Sequence, residues 1–130
     1  MLAFAQRHDL WIITDEVYDR IVFDNEHVSF VGSDDERVIL INSFSKTYAM
    51  TGWRIGYIMS ANKDAMNQMI KLQYYITACS NDAMQYAVLA AINEADDYPD
   101  EMCAEFKARR DIICSRSVSY THLTLPTNGC

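Results

Sequence analysis

Two short, uninterrupted apolar runs constrain the fold more than any other feature of this sequence. Residues 10–14 (Leu-Trp-Ile-Ile-Thr) and residues 38–41 (Val-Ile-Leu-Ile) have the length and the β-branched composition of strands. Runs without polar alternation are typical of strands covered on both faces, as in a parallel sheet. A helix is predicted over residues 2–8, before the first run. Helix, short turn and buried strand in this order indicate an α/β fold.

Polar groups follow both runs at the points where the predicted strands end. Asp15 and Tyr18 come after the first run, and Ser43 and Lys46 come after the second. Ligands of open α/β sheets lie beyond the carboxyl ends of the strands. If the two strands are parallel neighbours, these side chains meet at one edge of the sheet, and we expect a binding site there.

The residues from 43 to 57 carry a distinctive set of functional groups. They read Ser-Phe-Ser-Lys-Thr-Tyr-Ala-Met-Thr-Gly-Trp-Arg-Ile-Gly-Tyr. The amine of Lys46 can bind an aldehyde covalently. The hydroxyls of Ser43 and Ser45 and the guanidinium of Arg54 can hold a phosphate dianion. Together these groups are suited to a phosphorylated aldehyde.

This stretch resembles, without gaps, the lysine motif of the class I/II aminotransferases, which are fold type I enzymes that use pyridoxal 5'-phosphate (PLP). The resemblance implies that Lys46 is the catalytic residue and the covalent attachment point of PLP. It also implies that Ser43, Ser45 and Arg54 bind the cofactor's phosphate. An isolated lysine at a strand end is more often simply solvated, but that explanation does not account for the other matching positions.

A second resemblance lies upstream, in Asp-Glu-Val-Tyr at residues 15–18. In the family, the aspartate pairs with the pyridine nitrogen of PLP and the tyrosine hydroxyl binds the cofactor's phenolic oxygen. Carried over, these roles fall to Asp15 and Tyr18. A carboxylate beside the ring nitrogen favours the protonated ring, which is the better electron sink.

The resemblance implies the fold class in more detail. The implied fold is of the α/β class and forms part of the three-layer large domain of a fold type I PLP transferase. In that domain a mostly parallel sheet is flanked by helices. A third strand is predicted over residues 53–59, antiparallel by resemblance. Helices are predicted over residues 62–78, capped by Asn62, then after a cap at Ser80 or Asn81, and then from Pro99 to about residue 116. Apolar residues at helical spacing predict the inward face of each helix. These are Met66, Met69, Ile70 and Tyr74 in the first, Met84, Ala87, Val88, Ala91, Ile92 and Ala95 in the second, and Met102, Phe106 and Ile113 in the third. Arg109 and Arg110 either begin the helix that leads to the family's small domain or lie on a solvated face.

The resemblance extends over residues 1–116 and stops abruptly. Residues 117–130 form an unmatched tail, which we interpret as translated sequencing adapter; the alternative is a genuine, divergent strand and turn. The first 116 residues correspond to a central part of an aminotransferase large domain. We therefore expect strands with unpaired edges and exposed apolar faces.

The implied activity is transfer of an amino group from an amino acid to a 2-oxo acid, in a cytoplasmic homodimer. Three alternatives remain open: a PLP-dependent lyase or synthase on the same fold, a ligand-sensing regulatory domain, and a non-catalytic fragment.

Composition excludes several other classes. The net charge of −7 argues against nucleic acid as a partner. No apolar run approaches the length of a membrane span. The four cysteines lie at long, uneven spacings without a Cys-x-x-Cys pair, so reduced thiols are favoured over disulfides, and no metal site is predicted.

Overall fold

The computed structural model describes residues 1–117. The predicted tail lies outside the described residues, apart from Ser117. The helices and strands are, in chain order, α1 (Leu2–Arg7), β1 (Ile12–Asp15), β2 (Val38–Ser43), α2 (Phe44–Thr47), a 3-10 helix (Thr51–Trp53), β3 (Gly56–Met59), α3 (Lys63–Thr77), α4 (Asp82–Glu94) and α5 (Tyr98–Ser117).

The three strands form one sheet in the order β1-β2-β3. β1 and β2 are parallel, with Ile12 opposite Val38 and Asp15 opposite Ile41. β2 and β3 are antiparallel. The α/β class, the parallel pair and the antiparallel third strand are thereby confirmed, and the described sheet is small and mixed.

The third strand starts later than predicted. Residues 51–53 form the 3-10 helix, and Arg54 after it has a left-handed backbone with φ of 56°. A residue in this conformation interrupts an extended chain, so β3 begins only at Gly56. The prediction that Trp53 and Arg54 belong to the strand was wrong.

The core is small and lies where α1 meets the start of the sheet. Ala5, Ile12 and Val38 form it, and Leu2 and Phe30 pack against it. The strands are not covered on both faces as predicted, because Ile13 of β1 is 67% exposed. The expectation of exposed apolar strand faces is confirmed.

α3 and α4 both begin at asparagine caps. Asn62 accepts a hydrogen bond from the backbone N–H of Ala65 at 2.8 Å. Asn81 accepts one from Met84 at 3.4 Å, which identifies Asn81 rather than Ser80 as the cap of α4. Both helices were predicted, and their starts agree with the predicted caps.

The predicted inward faces of the helices are only partly right. In α4 the apolar residues predicted to face inward are buried or half-buried, with Val88 the most buried, except for Ile92, which is exposed. In α3 Met66 and Met69 are half-buried. Ile70 and Tyr74 of α3 and Phe106 and Ile113 of α5 were predicted to face inward but are exposed.

The loop after β1 anchors α5 through charged groups. Lys107 donates to Asp24 at 3.1 Å, Arg110 also donates to Asp24, and the Arg110 guanidinium lies 4.9 Å from the centre of the Phe23 ring. Hydrogen bonds from Arg110 and Lys107 lower the pKa of Asp24. Arg110 therefore holds α5 to this loop, whereas Arg109 pairs with Glu105 of its own helix.

None of the helices within residues 1–117 is both long and apolar enough to cross a membrane.

Candidate functional site

The carboxyl ends of β1 and β2 lie side by side, as the sequence predicted. Beyond the register pair Asp15–Ile41, the N–H of Glu16 donates to the carbonyl of Ile41 at 2.9 Å. β1 therefore ends opposite Ile41, and β2 continues for two more residues, to Ser43, before α2 begins. This brings the two predicted halves of the site to one edge of the sheet.

Lys46 lies on α2, directly after β2. Ser43 caps this helix by accepting a hydrogen bond from the N–H of Ser45 at 3.2 Å. The Lys46 amine lies 5.7 Å from the centre of the Tyr18 ring. Among the described residues, no carboxylate pairs with this amine. Lys46 is therefore a half-buried amine beside a phenol ring, free of a neutralising partner within this part of the chain.

Tyr18 and Asp15 are both open to solvent. The Tyr18 side chain is 56% exposed. One carboxylate oxygen of Asp15 accepts a hydrogen bond from the N–H of Val17 at 3.2 Å, which holds the side chain at the strand end. The structure thus brings Tyr18 to Lys46 and places Asp15 on the same edge.

The three predicted phosphate ligands share one cavity. Ser43, Ser45 and Arg54 line an open cavity of about 620 Å³ beside β2, β3 and α3. Asp15, Tyr18 and Lys46 are not among its lining residues. The predicted residues therefore form two adjoining groups, joined where Ser43 starts the helix of Lys46.

Arg54 has donors available for an anion. Its Nη1 donates to the carbonyl of Thr51 at 2.8 Å. In contrast to Arg20, Arg37 and Arg110, it forms no ion pair with a carboxylate of residues 1–117. A guanidinium that lines the same cavity as two hydroxyls, and that has no carboxylate partner within residues 1–117, is suited to a phosphate group.

Sequence reasoning missed the role of Glu16, which is 4% exposed. Its carboxylate accepts hydrogen bonds from the N–H of Phe30 at 2.9 Å and from the Ser29 hydroxyl, and it lies 3.0 Å from the His27 ring nitrogen. Burial raises the pKa of Glu16, but these donors outweigh burial and hold the pKa below its ordinary value. No local signal separates this glutamate from the exposed Asp15 before it.

Asn42 was also missed. It is 5% exposed, and its side-chain amide donates to a carboxylate oxygen of Asp19 at 2.9 Å. A polar residue that directly follows a run of four apolar strand residues is the signal that was available. Asn42 joins the turn after β1 to the end of β2.

Comparison with known proteins agrees with this geometry. A family model described as aminotransferase class I and II matches residues 1–123. The chain belongs to this family. A probable aspartate aminotransferase from Methanocaldococcus jannaschii is 46% identical over 118 residues, which are 87% of this chain and 31% of that protein. The aspartate aminotransferase of Thermotoga maritima is 36% identical over 118 residues, covering 89% of this chain and 30% of that protein.

Solved structures give the same result for the aminotransferase fold. The aromatic aminotransferase of Pyrococcus horikoshii superimposes with a TM-score of 0.83 at 35% identity, over 92% of this chain and 33% of that chain. The aspartate aminotransferase structure from Thermotoga maritima gives a TM-score of 0.81 at 36% identity, over 92% of this chain and 31% of that chain. The chain has the fold of part of a fold type I aminotransferase, and it spans about a third of the length of these relatives.

Proposed function

We propose that this chain forms the cofactor-binding part of a PLP-dependent aminotransferase that moves an amino group from an amino acid to a 2-oxo acid. One observation carries the proposal: the Lys46 amine lies 5.7 Å from the Tyr18 ring, where two parallel strands end. The relatives named above are all aminotransferases, which supports amino transfer over a lyase or synthase reaction.

The groups at this edge of the sheet fit PLP. The amine of Lys46 suits the aldehyde of the cofactor, and the Asp15 carboxylate suits its ring nitrogen. The Tyr18 hydroxyl suits the phenolic oxygen. Ser43, Ser45 and Arg54 line one cavity, and their hydroxyls and guanidinium match the phosphate. Each polar part of the cofactor thus has a chemically matched side chain.

The mechanism assigns a separate task to each residue. Bound PLP supplies an electron sink for the α-carbon of the amino acid. Lys46 would hold the cofactor at its aldehyde carbon, and its amine is the group that would accept the proton from the substrate's α-carbon as a general base. Asp15 would favour a proton on the ring nitrogen, and Tyr18 would orient the ring through its hydroxyl. Ser43, Ser45 and Arg54 would hold the phosphate and so restrict the position of the cofactor relative to the Lys46 amine.

The proposal extends to assembly and location. We propose that the complete subunit acts as a homodimer in the cytoplasm. Large exposed apolar side chains on α3, such as Tyr75 at 84%, support burial against further protein surface.

A chimera tests the proposed activity in a complete subunit. Residues 1–117 replace the corresponding segment of the Thermotoga maritima aspartate aminotransferase, and transfer of the amino group from aspartate to a 2-oxo acid is measured. We expect activity in the chimera and a loss of at least about a hundredfold with Lys46→Ala, since general base catalysis contributes roughly that much or more. Asp15→Asn should retain PLP and lose most turnover.

Lys71→Ala is the matched control, because Lys71 is an exposed lysine on α3. A Lys46→Ala chimera that transfers amino groups as fast as the Lys71→Ala chimera would refute the role of Lys46. Equal turnover with Asp15→Asn would refute the role of Asp15.

A further inference from the structure

Asn42 is hydrogen-bonded to both halves of the candidate site. Its Nδ2 donates to Oδ2 of Asp19 at 2.9 Å, and its Oδ1 accepts from the N–H of Ser43 at 2.7 Å. Asp19 directly follows Tyr18, and Ser43 is the cap of the helix that carries Lys46. One buried side chain therefore connects the turn of Tyr18 with the helix of Lys46.

This connection lies where the backbone pairing of β1 with β2 ends. The last hydrogen bond between these segments runs from the N–H of Glu16 to the carbonyl of Ile41. The chain then turns, with the N–H of Asp19 donating to the carbonyl of Glu16 at 3.0 Å. Beyond this point the Asn42–Asp19 hydrogen bond continues the link between the two segments.

We propose that Asn42 is a positioning residue, which sets the separation of Tyr18 and Lys46 by holding Asp19 against the start of α2. The consequence for PLP rests on the proposed function, whereas the separation itself is a property of the chain without cofactor. Asn42 suits this task because one amide supplies a donor to Asp19 and an acceptor to Ser43.

The direction of the hydrogen bond from Asn42 to Asp19 allows a specific test, in which donor and acceptor are exchanged. Asp19 uses both carboxylate oxygens, since Oδ1 accepts from the N–H of Arg20 at 2.8 Å and Oδ2 accepts from Asn42. An asparagine at position 19 can satisfy only one of these two donors. An aspartate at position 42 places two carboxylates in contact. The exchanged pair, Asp19→Asn with Asn42→Asp, satisfies all four groups again.

The experiment uses the full 130-residue chain without cofactor. For the wild type, both single variants and the exchanged pair, the folding equilibrium constant is measured by urea unfolding. The nuclear Overhauser effect between the Lys46 methylene protons and the Tyr18 ring protons is measured by NMR in the folded state. Asn67→Asp, an exposed asparagine on α3, is the control.

We expect Asn42→Asp to lower the folding equilibrium constant about tenfold, as the loss of a hydrogen bond to a charged group does. We also expect it to weaken the Lys46–Tyr18 signal, Asp19→Asn to act in the same direction, and the exchanged pair to recover both readouts. If the Asn42→Asp variant does not fold, the test uses Asp19→Asn and the exchanged pair alone. The exchanged pair should then exceed Asp19→Asn in both the folding equilibrium constant and the Lys46–Tyr18 signal.

Two results would overturn the proposal. The first is an exchanged pair whose loss of folding stability equals the sum of the losses in the two single variants. The second is recovered stability with a Lys46–Tyr18 signal that never changed in the single variants, since Asn42 would then stabilise the fold without positioning the site. Failure of the wild-type chain to bind PLP would count against the proposed function only, because both readouts are taken without PLP.

Discussion

At the scale of single residues, Asp15 and Glu16 show how position assigns different tasks to neighbouring carboxylates. Asp15 is exposed at the end of β1, with one oxygen held by the N–H of Val17. Glu16 is buried and accepts hydrogen bonds from Phe30 and Ser29. We conclude that Asp15 is accessible to a ligand, whereas Glu16 ties residues 27–30 to the turn that carries Tyr18.

The state of Glu16 predicts how stability depends on pH. Its pKa is lowered from the ordinary value of 4.5 by the donors that surround it. The ionised carboxylate therefore contributes stability above pH 4.5, and this contribution is lost as the pH falls through the folded-state pKa. We expect Glu16→Gln to lower the free energy of unfolding at pH 7 by about 1–3 kcal/mol.

The difference between Glu16→Gln and wild type should shrink as the pH falls below 4.5. Urea unfolding from pH 7 to pH 3 measures it, with the exposed Glu26→Gln as control. A difference that stays constant over this range would contradict the account of Glu16.

Gly56 is required by close contact between β3 and β2. A Cβ at this position would lie 2.7 Å from the carbonyl oxygen of Asn42 and 2.9 Å from the Cβ of Ser43. We expect Gly56→Ala to destabilise the chain by about 1–3 kcal/mol, as overpacking does. Gly52→Ala is the control, because nothing lies within 4 Å of its added Cβ. Equal unfolding midpoints for the two variants in urea would show that β2 and β3 are not this close.

At the scale of elements, the two asparagine caps predict unequal effects. The cap bond of Asn62 is 2.8 Å long, and that of Asn81 is 3.4 Å long. We expect Asn62→Ala to cost about 1 kcal/mol of unfolding free energy and Asn81→Ala to cost less. Asn67→Ala within α3 should cost nothing, since alanine is the better helix former. A larger loss for Asn81→Ala in urea unfolding would reverse this ranking.

Strands and helix starts were predictable because their signals are local. The apolar run at residues 38–41 and the caps at Asn62 and Asn81 each depend on neighbours in sequence. The start of β3 was not predictable, since the left-handed backbone of Arg54 leaves no trace in composition. The exposure of Ile70 depends on which surfaces meet α3 and not on its spacing in the sequence.

At the scale of the whole molecule, two strand ends 28 residues apart in sequence, at Asp15 and Ser43, deliver Asp15 and Lys46 to one edge of the sheet. The rule that ligands of α/β sheets lie beyond the carboxyl ends of the strands was sufficient to predict that these two side chains share an edge. It did not predict the hydrogen-bond partners of Glu16 and Asn42. Asn42 binds Asp19 across a separation of 23 residues, and Glu16 binds Ser29 across 13. Long-range polar contacts of this kind are set by the folded geometry, which the sequence pattern does not show.

The most direct test of the PLP site is to determine which lysine the cofactor labels. The chain has four lysines, and the other three serve as internal controls: Lys63, Lys71 and Lys107. The chain is incubated with limiting PLP and reduced with borohydride, and its peptides are mapped by mass spectrometry. We predict the mass of the reduced cofactor on Lys46, with little on the exposed lysines of α3. Labelling spread evenly over the four lysines, or absent from Lys46, would contradict the site.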